Sequence, residues 1–296
     1  MSKKKNIIIN CSNIHYGGGV AVASSFLICL SKKNFKKYNI NILISKTVFN
    51  NIKKSNIDFS NFKEVKIINN FGLRMLFFNF DKHFKKIDII FSIFGPTFSL
   101  KQKHKHIIGL ADPYIIYKNN FYIKKFSSLI NRIKNSLIVF IKKKFLNNAD
   151  ALIVEIERAK REIEKNKIAY KKNIYVVSNS INDIFFKKEL WSKINLNDRT
   201  DSLKLGIISR KYPHKNIEIL PHVKEILENK YHKQTKIFVT LNEKEWSEST
   251  NFFKENITNV GPLLINECPN FYEQIDGVIF PTLLEVMSIT PLESMF

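Results

Sequence analysis

The sequence predicts an α/β protein made of two doubly wound domains, and three observations predict it. Short apolar runs rich in β-branched residues alternate with helix-compatible stretches along almost the whole chain. The first run ends in a glycine-rich turn that opens a helix. A polar stretch at 187–202 interrupts the series, which then starts again. The expected division is a first domain over 1–186, a linker over 187–202 and a second domain over 203–296.

The elements follow in order. Residues 6–12, NIIINCS, form the first expected strand. The turn HYGGGV and the helix-compatible segment VAVASSFLICLSKK come next. Further strands are expected at 39–45, 64–68, 87–94, 106–111, 149–155 and 173–178. Unbroken apolar runs of this kind suit parallel strands covered on both faces. Residues 119–148 read as one long basic helix, with Phe, Ile and Leu among Lys124, Lys125, Arg132, Lys134 and Lys142 to Lys144. Its apolar face either packs on the sheet or rests on anionic lipid headgroups. The second series begins with a strand at 203–209. It continues with a helix at 214–230, a strand at 236–241, a helix near 246–255 and a strand at 255–261. A helix near 266–274 and a strand at 276–282 follow. The sequence stops at Phe296 inside a helix that has just begun, so the second domain is expected to be incomplete.

Net charge is the unusual bulk property. Residues 1–150 carry 27 basic and 6 acidic side chains, whereas residues 151–296 carry 21 and 20. The positive field therefore belongs to the first half, and nucleic acid, an anionic membrane surface or an anionic substrate would answer it. A bias toward Lys, Asn, Ile and Phe codons would act on both halves alike, and the charge does not. No run of eighteen apolar residues is present, and the apolar stretch after MSKKK is too short for a signal peptide. Three cysteines without a CxxC pair give neither a disulfide framework nor a zinc signature. The expectation is a cytoplasmic protein with reduced thiols.

Absent motifs narrow the chemistry. GxxxxGK[ST], GxGxxG, HExxH, GxSxG and Asp-x-Asp are all missing. Three features point to a diphosphate held without metal. Gly17, Gly18 and Gly19 let backbone N–H groups approach a phosphate ahead of a helix N-terminus, or simply make a tight turn. Arg210 and Lys215, five apart in GIISRKYPHKN, stand between an expected strand and helix, where α/β sheets bind ligands. Two fixed cations there neutralise a departing diphosphate. Glu285 and Glu293 in FPTLLEVMSITPLESMF bracket a strand–loop–helix turn, and carboxylates so placed accept hydrogen bonds from sugar and ribose hydroxyls. His15 beside the glycine turn, His214 inside the Arg–Lys loop and Asp112 in GLADPY have weaker claims. The histidines touch phosphate or sugar, or are surface residues; Asp112 faces an acceptor or starts the turn before Pro113.

The order glycine loop, Arg–Lys loop, Glu-x7-Glu resembles the retaining family 4 glycosyltransferases, the glycosyl transferases group 1. IDIIFSIFGPT at 87–97, ADALIVEIERAKREIEK at 149–165 and IYVVSNSINDIFF at 174–186 are also similar to that family's segments. The resemblance implies a GT-B fold, with a UDP- or GDP-sugar donor on the second domain and the acceptor on the first. By position, Arg210 and Lys215 would bind the donor diphosphate, Glu293 the ribose and Glu285 the transferred sugar. Gly18 and Gly19 would approach the donor phosphates, and His15 and Asp112 would lie on the acceptor side. It implies retention of configuration, no metal and no cofactor beyond the donor. Val286-Met287-Ser288 stands where many members have Gly-Phe-Gly, and Ile156 where Thr is frequent.

The expected partner is a polyprenyl-diphosphate-linked glycan of O-antigen, lipopolysaccharide or capsule synthesis, met on the inner face of the cytoplasmic membrane. Two alternatives are an inactive truncated transferase and a basic nucleic-acid-binding protein. The latter lacks a recognition helix, an RNP-type aromatic pair or a zinc site.

Overall fold

The computed structural model describes residues 4–53, 57–96, 103–117, 129–196 and 200–296. The chain forms two compact units, Met1–Asn179 and Ser180–Phe296.

The first unit is a parallel sheet of seven described strands in the order β3-β2-β1-β4-β5-β6-β7. They are β1 Lys5–Cys11, β2 Tyr38–Ile44, β3 Glu64–Ile67, β4 Ile89–Ser92, β5 Lys105–Gly109, β6 Ala151–Val154 and β7 Asn173–Val176. Ile8, Ile42, Leu43 and Ile44 are fully buried, as unbroken β-branched and leucine runs in a doubly covered sheet require. Helices α1 Gly18–Ser31 and α2 Lys46–Lys53 bury Leu27, Val48 and Ile52 against this sheet. The strand order turns back at β1, so the loops after β1 and β4 flank a topological switch point. Asn13 ties them: its Nδ2 donates to the Phe94 carbonyl at 2.7 Å.

Further helices among the described residues are α3 Pro113–Ile116, α4 Leu129–Leu146 and α5 Glu157–Lys165. The expected helix over 119–148 is seen as α4, and its first part lies outside the described residues. No described helix is long and apolar enough to cross a membrane.

The second unit repeats the plan with four described strands in the order β10-β9-β8-β11, all parallel. They are β8 Leu203–Ile207, β9 Thr235–Val239, β10 Thr258–Asn259 and β11 Gly277–Val278. The expected strands at 255–261 and 276–282 thus pair over two residues each. Helices α6 Leu220–Asn229, α7 Glu243–Ser247, α8 Asn251–Asn256, α9 Cys268–Glu273 and α10 Thr290–Glu293 follow. The expected helix at 214–230 is broken at its start. Pro213–Lys215 is a 3-10 turn and Asn216 takes a left-handed φ of 54°, so the α-helix begins only at Leu220. The one near 246–255 is two helices, because Asn242 and Thr250 each cap a start of their own. At Gly206 a Cβ would come 2.7 Å from Phe271 Cζ, so glycine lets α9 close on β8.

The expected boundary at 186 and linker at 187–202 differ from the structure. The second unit begins at Ser180, and Phe185 and Leu196 are buried in its core with Phe238 and Phe271. Trp191 Nε1 donates to the Ile184 carbonyl at 2.8 Å, and the Ile194 amide donates to Asn270 Oδ1 at 2.8 Å. Lys and Asn made 187–202 read as a linker, but its Ile194 and Leu196 pack inward.

Candidate functional site

In the second unit the strand order turns at β8, between β9 and β11. The loops after β8 and β11 therefore flank its switch point, and these loops carry Arg210, Lys215 and Glu285. Their backbones are joined: the Leu283 amide donates to the His214 carbonyl at 2.8 Å, and Asn216 Nδ2 donates to the Pro281 carbonyl at 3.4 Å.

This join brings Lys215 against Glu285. Lys215 Nζ donates to Glu285 Oε1 in an ion pair and lies 5.6 Å from the Phe280 ring centroid. Both side chains remain partly exposed. Arg210 is anchored differently. Its Nε donates to Glu245 Oε1 at 2.9 Å, and the same oxygen accepts from the Lys211 amide at 3.1 Å. Glu245 Oε2 accepts from the Asn242 amide at 3.1 Å, closing the capping box of α7. One carboxylate thus fixes a helix start and the cationic loop together. Thr240 Oγ1 accepts from the Ser209 amide at 3.1 Å and holds the end of β8 to that of β9.

Glu293 ends the short helix α10 and has a different environment. Burial pushes its carboxyl up to about 7. It faces Cys268 and Tyr272 of α9, whose thiol and phenol are raised first by burial and then by Glu293. Its side chain has no hydrogen bond or ion pair among the described residues. The structure therefore joins Lys215 to Glu285, keeps Arg210 on the same loop, and gives Glu293 a contact set of its own.

In the first unit Gly17, with φ of 70°, precedes the N-terminus of α1, and no side chain among the described residues caps that end. A Cβ on Gly18 would meet nothing within 4 Å, whereas one on Gly19 would reach Ile14 Cγ2 at 3.3 Å. Gly18 thus has no close neighbour among the described residues, and Gly19 permits close packing. His15 stacks edge-on against Phe71 at 4.2 Å, and burial lowers its pKa. Its Nε2 is buried without a partner among the described residues. Asp112 caps α3, accepting from the Tyr114 amide at 3.0 Å, and forms a 2.6 Å ion pair with Lys142.

Two residues at the second-unit site escaped the sequence reading. Glu245 carried a detectable signal, the capping-box pattern Asn242-x-x-Glu245, but nothing local tied it to Arg210, 35 residues earlier. Thr282, in the loop before Glu285, has a buried hydroxyl with no partner among the described residues. It lies in the Phe-Pro-Thr run of the motif, which by itself gave it no role.

No protein-family model matches the chain. No curated protein matches it in sequence. Solved structures do. Sucrose-phosphate synthase from Thermosynechococcus elongatus superposes with a TM-score of 0.67 at 13% identity, covering 99% of this chain and 79% of that one. A TarM mutant from S. aureus, in complex with fondaparinux, alpha-GlcNAc-glycerol and UDP, gives 0.60 at 13% identity, over 99% and 84%. UDP-GlcNAc 2-epimerase from Neisseria meningitidis, bound to UDP-GlcNAc, gives 0.52 at 12% identity, over 94% and 77%. At such identities the likeness is one of fold: two successive Rossmann-like units of the GT-B type.

Proposed function

We propose that the chain is a nucleotide-sugar-dependent glycosyltransferase of the retaining, family 4 type, whose donor binds at the Arg210, Lys215, Glu285 and Glu293 loops. One observation carries the reading: Lys215 and Glu285 meet at the switch point of the second parallel sheet, and the loop of Lys215 also carries an anchored Arg210. Cations on rigid loops stabilise the charge that develops on a departing diphosphate. In this reading the bond between the anomeric carbon and the diphosphate oxygen breaks as the acceptor oxygen bonds to the same face. The acceptor's proton goes to the departing phosphate oxygen, so neither a protein nucleophile nor a metal is required. Lys215 and Arg210 balance the diphosphate, Glu285 orients the sugar, and Glu293 accepts the ribose hydroxyls. Gly18 and Gly19 offer backbone amides to the phosphates, and His15 and Asp112 belong to the acceptor side.

The acceptor in this reading is a polyprenyl-diphosphate-linked glycan of O-antigen, lipopolysaccharide or capsule synthesis, at the inner face of the cytoplasmic membrane. The first unit has 34 basic and 10 acidic residues, a net charge of +24, against −2 for the second, with 14 and 16. Each cation close to an anionic leaflet contributes on the order of 1 kcal/mol.

Calorimetry with UDP and GDP, with and without EDTA, tests the donor assignment. Saturable binding of one diphosphate, unchanged by EDTA and weakened by Lys215→Ala, is the expected result. No binding of either at millimolar concentration overturns it. Release of diphosphate on adding a lipid-linked acceptor then tests transfer; conversion of the donor to an epimer without acceptor would replace transfer with isomerisation.

A further inference from the structure

Helix α4 turns its most apolar face to water. Phe145 and Leu146 are buried near its end, and Asn135, Val139 and Lys142 occupy the half-buried side. Ile133, Leu137 and Phe140 are 65%, 60% and 68% exposed, and Ile138 and Ile141 are each more than a third exposed. At about 100° per residue, Ile133, Leu137, Phe140 and Ile141 fall within an arc of roughly 100° on one side of the helix, with Ile138 beyond its edge. Lys134 flanks that arc and Lys144 lies at its end, both exposed. The rotation of α4 is fixed by two inward contacts. Lys142 is held by Asp112 at 2.6 Å, and Asn147, just past the helix, accepts from the Ala169 amide at 2.7 Å. Turning the apolar arc inward would break the ion pair and expose Leu146. An outward apolar stripe held in this way marks a contact surface.

The charge around the stripe selects its occupant. The unit carries 34 basic against 10 acidic residues, so a second copy laid on this face meets like charge. An anionic bilayer offers phosphates to the lysines and hydrocarbon to the arc. We infer that Ile133, Leu137, Phe140 and Ile141 insert at the headgroup–acyl boundary of an anionic membrane, with Lys134 and Lys144 at its phosphates. This deepens the membrane-associated reading above, adding an apolar anchor to attraction by charge alone. The contact does not depend on donor or acceptor.

The test therefore uses the whole protein and vesicles without sugar nucleotide, so its failure is separable from failure of the transferase assignment. Phosphatidylethanolamine vesicles containing phosphatidylglycerol should float the protein, and phosphatidylcholine vesicles should not. Part of the binding should survive 0.5 M salt, because buried apolar area is not screened. The double variant Leu137→Gln/Phe140→Gln should bind about tenfold more weakly at an unchanged thermal midpoint. Phe140→Trp should shift its emission to the blue on adding the anionic vesicles, against the constant background of Trp191 and Trp246. Absence of flotation, full loss of binding in salt, or equal binding by the double variant overturns the inference. So does a dimer that forms without vesicles and is abolished by the double variant.

Discussion

Lys215 and Glu285 stand seventy residues apart in the chain and form an ion pair across two loops of the second unit. The pair balances a cation against a carboxylate in a partly buried setting. A bound diphosphate would draw the ammonium toward itself and free Glu285 for hydroxyls. Lys215→Ala should weaken UDP or GDP binding about ten- to a hundredfold, the range for a lost charge-assisted hydrogen bond. Glu285→Gln should leave the diphosphate affinity within about threefold and lower turnover with the full donor at least tenfold. Titration of both variants with diphosphate and with donor checks this. Equal losses for both ligands in Glu285→Gln would assign that residue to the diphosphate instead.

Glu245 is expected to act through Arg210. Glu245→Ala removes the α7 capping box and the anchor of the Arg210 guanidinium together. Cap loss alone costs about 1 kcal/mol. Glu245→Gln keeps an acceptor for the Asn242 amide and should retain most stability while weakening diphosphate binding several-fold. Thermal melts and calorimetry on both variants separate the two effects. An unchanged affinity in Glu245→Ala would show that the Arg210 anchor has no bearing on the ligand.

Glu293 sets a pH dependence of known sign. Burial raises its carboxyl from an ordinary 4.5 to about 7, so the folded state favours the protonated acid. Its contribution to stability is complete below pH 4.5, declines as pH rises from 4.5 to 7, and stays reduced above that. The span corresponds to about 3 kcal/mol. Glu293→Gln should flatten this decline in melts recorded between pH 5 and 8. If a ribose diol binds the carboxylate, adding UDP near pH 7 should release a proton, seen as a buffer-dependent binding enthalpy. A variant with the wild-type slope would remove Glu293 as its source.

His106 gives the opposite sign in the first unit. It is buried between β4 and β6, with Ser92 Oγ 3.0 Å from Nε2 and its backbone amide donating to Asp150 Oδ2 at 2.7 Å. Burial lowers its pKa from 6.5 to about 4. The neutral ring's stability is present above pH 6.5 and is lost as pH falls to 4, again about 3 kcal/mol. His106→Leu should remove most of that acid sensitivity. A His106→Leu protein with the wild-type loss between pH 6.5 and 4 would assign the effect to other groups.

Much of this molecule was legible from pattern. The apolar runs at 6–12, 39–45 and 203–209 became strands because residues buried on both faces of a parallel sheet are apolar throughout. The glycine turn was legible because the pairing of φ 70° with ψ −161° at Gly17 suits glycine alone. The linker over 187–202 was misread, since a segment of mixed polarity reveals its packing partners only in three dimensions. Arg210 and Lys215 were visible as a loop pair, but Glu245, the anchor of the first, was not.

The sequence by itself determined the two-part α/β plan, the uneven charge and the short list of cations and carboxylates, because each is a local or additive property of the chain. Which residues meet was decided only by the tertiary structure. Lys215 found Glu285 through the return of β11 beside β8, and Glu293 turned instead toward Cys268 and Tyr272. Likewise, the periodicity of α4 was written in the sequence, but the direction of its apolar face was set by the Lys142–Asp112 pair. Long-range pairing and burial depend on topology, which no window of sequence contains.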